Sequence, residues 1–340
     1  MSDATLKTLI QKVATGASLE ADEIQVALDV MSDGAASPAQ MGAFLMALRV
    51  RGETVGEITG AARMMRARMS RVSAPAGTID IVGTGGDGHG TYNISTAAAL
   101  VAAGGGLTVA KHGNRSVSSK SGASDVLTAL GVKVDCSKDA LERCIRDAGV
   151  GFMWAPIHHP AMKNWAPIRA ELGVRTIFNL LGPISNPAGV TRQVVGVFDK
   201  AWLVPIAETL RNLGADHVWV VHGSDGLDEL TTTGLTWVAE LKDGVVRTFD
   251  VTPADAGLLP SRLTDLIGGD ATVNADAIKA LLGGRRGPYR DIVVLNAAAA
   301  FVVGGKADDL RAGAERAHKS IDTGAAKVAL ERLIEISNAG

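Results

Sequence analysis

The 340-residue sequence has little cysteine, few aromatic side chains and almost no net charge. Two cysteines, Cys136 and Cys144, are too few for a disulfide framework or a zinc site, so we expect free thiols. Six Phe, five Trp and two Tyr leave few platforms on which nucleic-acid bases could stack. The formal net charge of −2 provides no field that would hold a polyanion. We therefore expect no nucleic-acid partner.

Long hydrophobic runs are also missing. The most apolar stretch, residues 94–110, is mostly alanine and glycine, and Ser95, Thr96 and Thr108 interrupt it. This pattern is typical of a tightly packed helix and strand and not of a membrane span. The first residues show no basic-then-apolar segment of the kind that directs secretion. We expect a cytoplasmic protein with no membrane partner.

Glycine, in contrast, is abundant. Forty glycines imply that backbone approaches backbone, or a ligand, in many places. The hydrophobic fraction of 46% and the charged fraction of 21% are ordinary for a packed enzyme and exclude a disordered chain. A chain of this length usually exceeds what one core organises, so we expect two domains.

The first seventy or so residues carry helical periodicity with capping residues. Ser18, Ser37 and Thr54 each precede an apolar-periodic stretch, which predicts helices over about residues 18–31, 37–51 and 54–69. Residues 161–182 return to a helical pattern and could pack with these helices. We expect a small all-helical domain formed by residues 1–72 plus about 161–190.

Short strands alternate with helices from Thr78 onward. The predicted strands are 79–82, 107–110, 132–134, 151–154, 193–198, 217–221, 237–241, 245–250 and 290–295. The pattern predicts an α/β fold class, in which a larger α/β domain with a mostly parallel central sheet flanked by helices accompanies the helical domain. We assign this larger domain to residues 76–160 and 191–340.

Glycines crowd the end of the first predicted strand, between residues 83 and 90. Backbone N–H groups there, together with the following helix N-terminus, could hold an anion. Gly83, Gly85 and Gly88 match a dinucleotide-binding fingerprint, which would suggest a nicotinamide-dependent oxidoreductase. In that fingerprint, however, an acid ends the next strand and holds a ribose, whereas here the next strand ends in Lys111. A phosphate site is therefore favoured.

Cations and small polar residues follow the second strand. Residues 111–122 contain three cations, four serines and two glycines. Such a loop can simply be solvated, but its position beside the glycine-rich loop favours a second phosphate site. Two such sites suggest a ligand with phosphates at both ends.

Two further features point to a metal and to a carboxylate ligand. Asp228 and Glu229 follow the strand at 217–221, and neighbouring carboxylates of this kind suit Mg²⁺ bound together with substrate phosphates, although surface charge is the alternative. Arg169, in the predicted helical segment, could pair with a substrate carboxylate or could be a surface or dimer-interface arginine.

Together these segments resemble the anthranilate phosphoribosyltransferase family of the nucleoside phosphorylase/phosphoribosyltransferase superfamily. The resemblance extends over nearly the whole chain and is carried by Gly83-Thr84-Gly85-Gly86-Asp87, Asn93-Ile94-Ser95-Thr96, Lys111-His112-Gly113-Asn114-Arg115, His159-Pro160-Ala161-Met162-Lys163, residues 175–183 and Asp228-Glu229. It implies a homodimer formed by the helical domains. It also implies transfer of the phosphoribosyl group from phosphoribosyl pyrophosphate to the amine of anthranilate, in tryptophan biosynthesis.

The resemblance implies site residues as well. Those for the phosphoribosyl donor are Gly83, Gly86, Asp87, Thr91, Asn93, Ile94, Ser95, Thr96, Lys111, Asn114, Ser119 and Ala123. Those for anthranilate are Gly83, Asn114, Arg169 and Pro183; those for two Mg²⁺ ions are Ser95, Asp228 and Glu229; and those for catalysis are Lys111, His112 and Asn114. His112 is the best candidate proton acceptor. The family usually has Ser-Gly-Ser-Ala-Asp where this chain has Ser121-Gly122-Ala123-Ser124-Asp125, so a serine hydroxyl is absent at position 123.

Two alternatives share the implied fold. A pyrimidine nucleoside phosphorylase would take phosphate and a nucleoside and would not need Asp228 and Glu229 as metal ligands. A catalytically silent relative could bind nucleic acid on a basic surface, which the net charge and the intact acidic pair argue against.

Overall fold

A computed structural model of the protein describes residues 3–115 and 120–339. Ser119, one of the predicted donor residues, lies outside the described residues. Within the described chain, no helix is both long enough and apolar enough to cross a membrane.

Four helices form the N-terminal region: α1 (Asp3–Ala14), α2 (Ala21–Ser32), α3 (Pro38–Arg51) and α4 (Val55–Arg68). Ser37 and Thr54 cap α3 and α4 as predicted, because each side chain accepts a hydrogen bond from the backbone N–H three residues later. The predicted cap at Ser18 is wrong. Helix α2 begins after Glu20, which forms a capping box with Glu23.

The remaining chain forms a seven-stranded sheet. The strands are β1 (Ile79–Gly83), β2 (Val109–Gly113), β3 (Val150–Trp154), β4 (Arg192–Gly196), β5 (His217–Gly223), β6 (Thr236–Lys242) and β7 (Val245–Val251). Their order is β3-β2-β1-β4-β5-β6-β7. Strands β1 to β5 are parallel to one another. Strands β6 and β7 extend the sheet beyond β5, and each pairs antiparallel with the strand before it.

Helices connect and cover these strands. They are α5 (Ile94–Gly104), α6 (Ala123–Ala129), α7 (Lys138–Arg143), α8 (Ala155–His158), α9 (Trp165–Leu172), α10 (Phe178–Leu181), α11 (Leu203–Asn212), α12 (Ala271–Leu282), α13 (Pro288–Val303), α14 (Leu310–Asp322) and α15 (Ala325–Asn338). The predicted fold class, a helical region with an α/β region built on a mostly parallel sheet, is confirmed.

Two predicted strands are wrong. Residues 290–295 lie inside α13, which begins at Pro288, a residue suited to the first turn of a helix. Almost every side chain of α13 is buried, so its sequence lacks the one-sided pattern of a surface helix. Residues 132–134 contain no strand, and Val132 packs into the core from a turn after α6.

The sheet has a different hydrophobic cluster on each face. One face packs on α5 and α13, with Ile81, Val109 and Phe301 in one cluster. The other face packs on α11, which in turn packs on α4, and the cluster continues into the N-terminal helices. Helix α9 packs against α3, which brings the 161–182 segment to the N-terminal region. The proposed domain boundaries stay a prediction.

A matched pair of glycines in α4 tests the packing of the helical region. A Cβ at Gly60 would lie 2.6 Å from Ile24 Cγ2 and would overlap the backbone of Ala21, whereas a Cβ at Gly56 would have room. We expect Gly60→Ala to lower the free energy of unfolding by about 1–3 kcal/mol through overpacking. Gly56→Ala should leave it unchanged or raise it by up to about 1 kcal/mol. Urea unfolding followed by circular dichroism measures both, and equal effects would contradict the α2–α4 packing.

Candidate active site

The carboxyl ends of the five parallel strands lie together on one side of the sheet. Four of these strands end in glycine: Gly83, Gly113, Gly196 and Gly223. A Cβ at Gly196 would overlap the backbone of Asp228, and a Cβ at Gly83 would meet the Asp228 carboxylate. The loop between β5 and β6 therefore lies directly on the ends of β4 and β1. This crossing brings Asp228 to β1, although β4 separates β1 from β5 in the sheet.

The side chain of Asp228 lies against the start of the glycine-rich loop. Its Oδ2 accepts hydrogen bonds from the backbone N–H of Gly85 at 2.6 Å and from the Thr84 hydroxyl at 3.5 Å. Burial, and then repulsion from Asp87, raises the pKa of Asp228 to about 6. The two predicted site residues Asp87 and Asp228 are thus brought together, and both face the end of β1.

Glu229 completes an acidic group with Asp228 and Asp87. Burial, and then repulsion from Asp228, raises the pKa of Glu229 to about 8, and a backbone hydrogen bond from Ser95 opposes this rise. Among the residues that the structure describes, no three His, Cys, Asp or Glu side chains are arranged to hold a metal ion by themselves. Carboxylate and hydroxyl oxygens from Glu229, Asp228 and Ser95 are hard donors of the type that Mg²⁺ takes together with substrate oxygens.

Lys111 supplies positive charge beneath this acidic group. Its Nζ donates to the backbone carbonyl of Ile81 at 2.6 Å and to Ser95 Oγ at 3.2 Å. Lys111 is only 3% exposed, and burial lowers its pKa while Asp80 and Glu229 act in the opposite direction. The lysine expected at the end of β2 therefore points at the start of α5 and at the acids.

The glycine-rich loop has the backbone that its sequence predicts. Gly85, Gly86, Gly88 and Gly90 all have positive φ values, between 64° and 81°, which L side chains rarely adopt. Helix α5 begins at Ile94 after Asn93, so its N-terminus faces the same loop. The loop leaves exposed backbone at Gly85, Gly86 and Gly88.

Asn93 joins the two predicted phosphate loops. Its Nδ2 donates to the backbone carbonyl of Ser121 at 3.2 Å, and its Oδ1 accepts from Asn274 Nδ2 at 2.9 Å. The Tyr289 hydroxyl donates to the Asn93 carbonyl at 3.3 Å. Thr91 pairs with Ile267 in an isolated bridge. The predicted donor residue Asn93 is therefore held against the loop that follows β2.

The loop after β2 carries the exposed residues Asn114 and Arg115. Ala123 starts α6 beside Gly113, where a Cβ would lie 3.3 Å from that of Ala123. Ser124, next in the chain, has a buried hydroxyl without a hydrogen-bond partner among the described residues. The shifted serine thus faces the interior, which leaves backbone as the feature that residue 123 offers to a ligand.

His112 points away from this loop, to the other face of the sheet. Its Nδ1 lies 3.1 Å from the carbonyl of Gly182 and must carry the proton, because a carbonyl only accepts. Its Nε2 lies 3.2 Å from His159 Nε2. Burial, and then His159, lowers the pKa of His112 to about 3, so the ring is neutral. The lone pair of His112 accepts from His159, and this pairing does not favour a proton-acceptor role, which stays a prediction.

Arg169 and Pro183 lie on the helical side of the site. The guanidinium of Arg169 lies 5.4 Å from the ring centroid of Phe178, and burial lowers its pKa. In the described part of the chain, Arg169 has no ion pair with a carboxylate. Pro183 is buried, and its carbonyl accepts from Gln193 Nε2 at 3.1 Å.

Several supporting residues were not predicted from the sequence. Asp225 accepts from the hydroxyls of Thr231 and Thr233 at 2.6 and 2.7 Å, which shapes the loop that carries Asp228. Asn296 of α13 bonds both backbone groups of Leu230. A lone Asn in the apolar run of α13 was the available signal, because a buried amide needs partners.

Arg175 and Asp80 were also missed. Arg175 donates to the carbonyl of Gly86 in the glycine-rich loop and lies 4.1 Å from the ring centroid of Phe198. Asp80 is fully buried in β1, and burial raises its pKa to about 6. A charged residue inside an otherwise apolar strand was the signal at position 80.

Two family models match the chain. The model described as glycosyl transferase family, helical bundle domain, matches residues 7–69. The model described as glycosyl transferase family, a/b domain, matches residues 76–327, which is more than half of the chain.

Individual relatives match over nearly the full length. An anthranilate phosphoribosyltransferase from Rhodopseudomonas palustris is 60% identical over 333 residues, which cover 98% of each chain. The crystal structure of the Thermus thermophilus anthranilate phosphoribosyltransferase is 43% identical, with a TM-score of 0.92 over 97% of this chain and 99% of that one. The Saccharomyces cerevisiae enzyme in complex with PRPP and Mg is 29% identical, with a TM-score of 0.91 over 100% of this chain and 99% of that one. The same yeast enzyme in complex with 4-fluoroanthranilate is 28% identical and has a TM-score of 0.89 over the same shares.

The buried His112–His159 pair should make the free energy of unfolding depend on pH. An unfolded histidine binds a proton below about pH 6.5, whereas the pKa values of about 3 for His112 and about 4 for His159 keep both neutral in the folded protein. The unfolded state therefore binds more protons between about pH 6.5 and 4, and stability falls as the pH falls through this window.

Replacing His112 with Gln should make that fall shallower, by up to about 1.4 kcal/mol per pH unit. Urea unfolding between pH 4.5 and 7 measures the slope. Thr209→Val, which removes a buried hydroxyl and no titrating group, should keep the wild-type slope. A slope for His112→Gln equal to that of the wild type would mean that the histidine is protonated in the folded state.

Proposed function

Because the chain belongs to the anthranilate phosphoribosyltransferase family, we infer that it transfers the phosphoribosyl group from phosphoribosyl pyrophosphate to the amine of anthranilate. The products are N-(5-phosphoribosyl)anthranilate and pyrophosphate, in a step of L-tryptophan biosynthesis. The observation that carries this function is the meeting of the glycine-rich loop with Asp228 and Glu229 at the end of β1. Identity of 60% over 98% of the chain supports it.

The donor lies, in this proposal, across the ends of β1 and β2. Its contacts are Gly83, Gly86, Asp87, Thr91, Asn93, Ile94, Ser95, Thr96, Lys111, Asn114, Ser119 and the backbone at Ala123. The exposed glycines of the loop, with their positive φ values, and the N-terminus of α5 support a phosphate there. The bond from Asn93 to Ser121 supports a single site formed by both loops.

The protein uses magnesium, and we propose two ions. Ser95, Asp228 and Glu229 would hold them, and the raised pKa values of the two acids support this, because buried carboxylates without enough positive charge gain from a divalent cation. Bound Mg²⁺ stabilises the negative charge that develops on the leaving pyrophosphate.

Anthranilate occupies the helical side, beside Gly83, Asn114, Arg169 and Pro183. Arg169 is half-buried and lacks a carboxylate partner among the described residues, which supports pairing with the anthranilate carboxylate. Pro183 offers a buried apolar surface on the same side.

The chemistry needs orientation and charge stabilisation more than proton transfer. The aromatic amine of anthranilate is neutral at pH 7, so it needs alignment with C1′ of the donor, whose ribose carbon passes through oxocarbenium character. Lys111 contributes buried positive charge and the glycine-loop N–H groups contribute fixed dipoles near the departing phosphates. Asn114 lies between the two substrates in this arrangement, and His112 lies at the base of the acceptor side.

We also propose a homodimer formed by a helical dimerisation domain, residues 1–72 plus about 161–190, beside a catalytic α/β domain, residues 76–160 and 191–340. A groove between α1 and α3 with Ile10, Ala39 and Ala43 in its lining supports an interface there. A cytoplasmic location stays a prediction.

Loss of anthranilate fluorescence on mixing with phosphoribosyl pyrophosphate and Mg²⁺ tests the function directly. The wild type should consume anthranilate, and excess chelator should stop it. Glu229→Gln should reduce kcat by about 100-fold or more, because a neutral amide cannot replace a metal-binding carboxylate. Glu335→Gln, in the exposed surface of α15, is the control. Equal turnover of both variants would refute the metal assignment.

Arg169→Ala tests the acceptor site. Loss of a charge-assisted pair should raise the KM for anthranilate by about 10- to 100-fold, while the KM for the donor stays within about twofold. Arg146→Ala, which removes an exposed arginine paired with Asp147, should change neither value. Equal rises in both KM values for Arg169→Ala would remove Arg169 from the acceptor site.

A further inference from the structure

One short segment is held by polar side chains from three neighbouring strands. This acceptor segment, residues 182–188, leads from α10 to β4. His112 of β2 donates to the carbonyl of Gly182 at 3.1 Å, and Gln193 of β4 donates to the carbonyl of Pro183 at 3.1 Å. Asp80 of β1 accepts from Asn186 Nδ2 at 2.7 Å. The order β2-β1-β4 in the sheet makes these three contacts a continuous row.

Burying this row carries a cost that the fold alone does not explain. Asp80 and Gln193 are both fully buried and are direct neighbours in the register of β1 and β4. On the same face of the sheet, Val82 and Val195 lie next along β1 and β4 and belong to the hydrophobic cluster. Polar groups placed there lose hydration that an aliphatic pair would not lose. What they gain in return is contact with the acceptor segment and, for Asp80, the attraction of the buried Lys111.

The row also reaches the donor side. Asp80 Oδ1 accepts from the backbone N–H of His112 at 3.2 Å. His112 follows Lys111 directly, so the carboxylate that holds Asn186 also holds the end of β2. Asn186 Nδ2 bonds the carbonyl of Ala110 as well, at 2.9 Å. The acceptor segment and the strand that carries Lys111 are therefore tied to each other through one buried carboxylate.

We propose that Asp80 and Gln193 are positioning residues for the transfer reaction: they fix the acceptor segment, and with it Pro183, at a set distance from the donor loop after β2. This inference rests on the proposed function, since it assigns the acceptor to the Pro183 side. Neither residue touches a substrate. Their effect acts through the placement of anthranilate relative to the donor, for which small displacements are costly.

Gln193→Met is the cleanest test. Methionine has a similar length and shape but cannot donate to Pro183. The fold should tolerate it, because Gln193 Oε1 has no hydrogen-bond partner among the described residues and its removal relieves a buried unpaired group. We expect the KM for anthranilate to rise about tenfold, while the KM for phosphoribosyl pyrophosphate and the melting temperature change little.

Asp80→Asn is the second variant. Asp80 accepts from His112 with Oδ1 and from Asn186 with Oδ2, and asparagine places an NH₂ donor at one of these positions, so in this geometry one of the two bonds is lost. We expect a similar rise in the KM for anthranilate together with a fall in kcat of about tenfold or more. Thr209→Val is the matched control, since it removes a buried hydroxyl of α11 that makes no hydrogen bond to the acceptor segment or to any other described residue. It should leave both KM values and kcat unchanged.

The outcomes separate this inference from the proposed function. A wild-type protein that leaves anthranilate unconsumed overturns the proposed function itself. An active wild type with an unchanged anthranilate KM in Gln193→Met overturns the inference alone. Equal rises in both KM values in Gln193→Met, with a lower melting temperature, would also overturn it, because they indicate general loosening. A selective anthranilate effect, absent from Thr209→Val, supports it.

Discussion

The site depends on one steric fact, the contact of the β5–β6 loop with the glycine ends of β4 and β1. Backbone at Asp228 lies where a side chain at Gly196 would be, and the Asp228 carboxylate lies where one at Gly83 would be. Only glycine at these strand ends allows the acid to reach the N–H of Gly85. Asp225 and Asn296 then hold the loop in that position through buried hydrogen bonds. The glycine-rich loop and an acidic pair from distant parts of the chain thereby meet at one place.

Charge is unevenly distributed at this point. Asp87 raises the cost of ionising Asp228, both acids raise the cost of ionising Glu229, and Lys111 is the buried cation that opposes them. Such an arrangement is expensive in a protein alone and becomes favourable when a divalent ion and phosphate oxygens join it. Burial of these acids lowers the stability of the protein alone, which is expected of residues that serve binding.

The pleat of β2 directs the neighbouring side chains of Lys111 and His112 to opposite faces of the sheet. Successive side chains of a strand point to opposite faces, so Lys111 points to Ser95 of α5 while His112 points to Gly182. In the function that we propose, the donor thus lies over one face of the sheet and the acceptor segment over the other. Asp80 and Gln193 continue the acceptor side across β1 and β4.

The sequence alone determined the local elements and much of the chemistry. Caps at Ser37 and Thr54, the glycine-rich loop, the cationic loop after β2 and the family resemblance follow from neighbouring residues. The sequence-based prediction of a strand at residues 290–295 was wrong because burial on nearly all sides removes the helical periodicity of α13. Its β-branched run is typical of a strand, yet the segment is a helix. Only the tertiary structure decided that the loop with Asp228 crosses β4 to meet β1 and that His112 faces His159. It also decided that Asp80 bonds Asn186, 106 residues later in the chain, and that Gln193 bonds Pro183, 10 residues earlier. The reason is physical, because these contacts depend on strand order and close backbone approach, and neither is encoded in the spacing of residues along the chain.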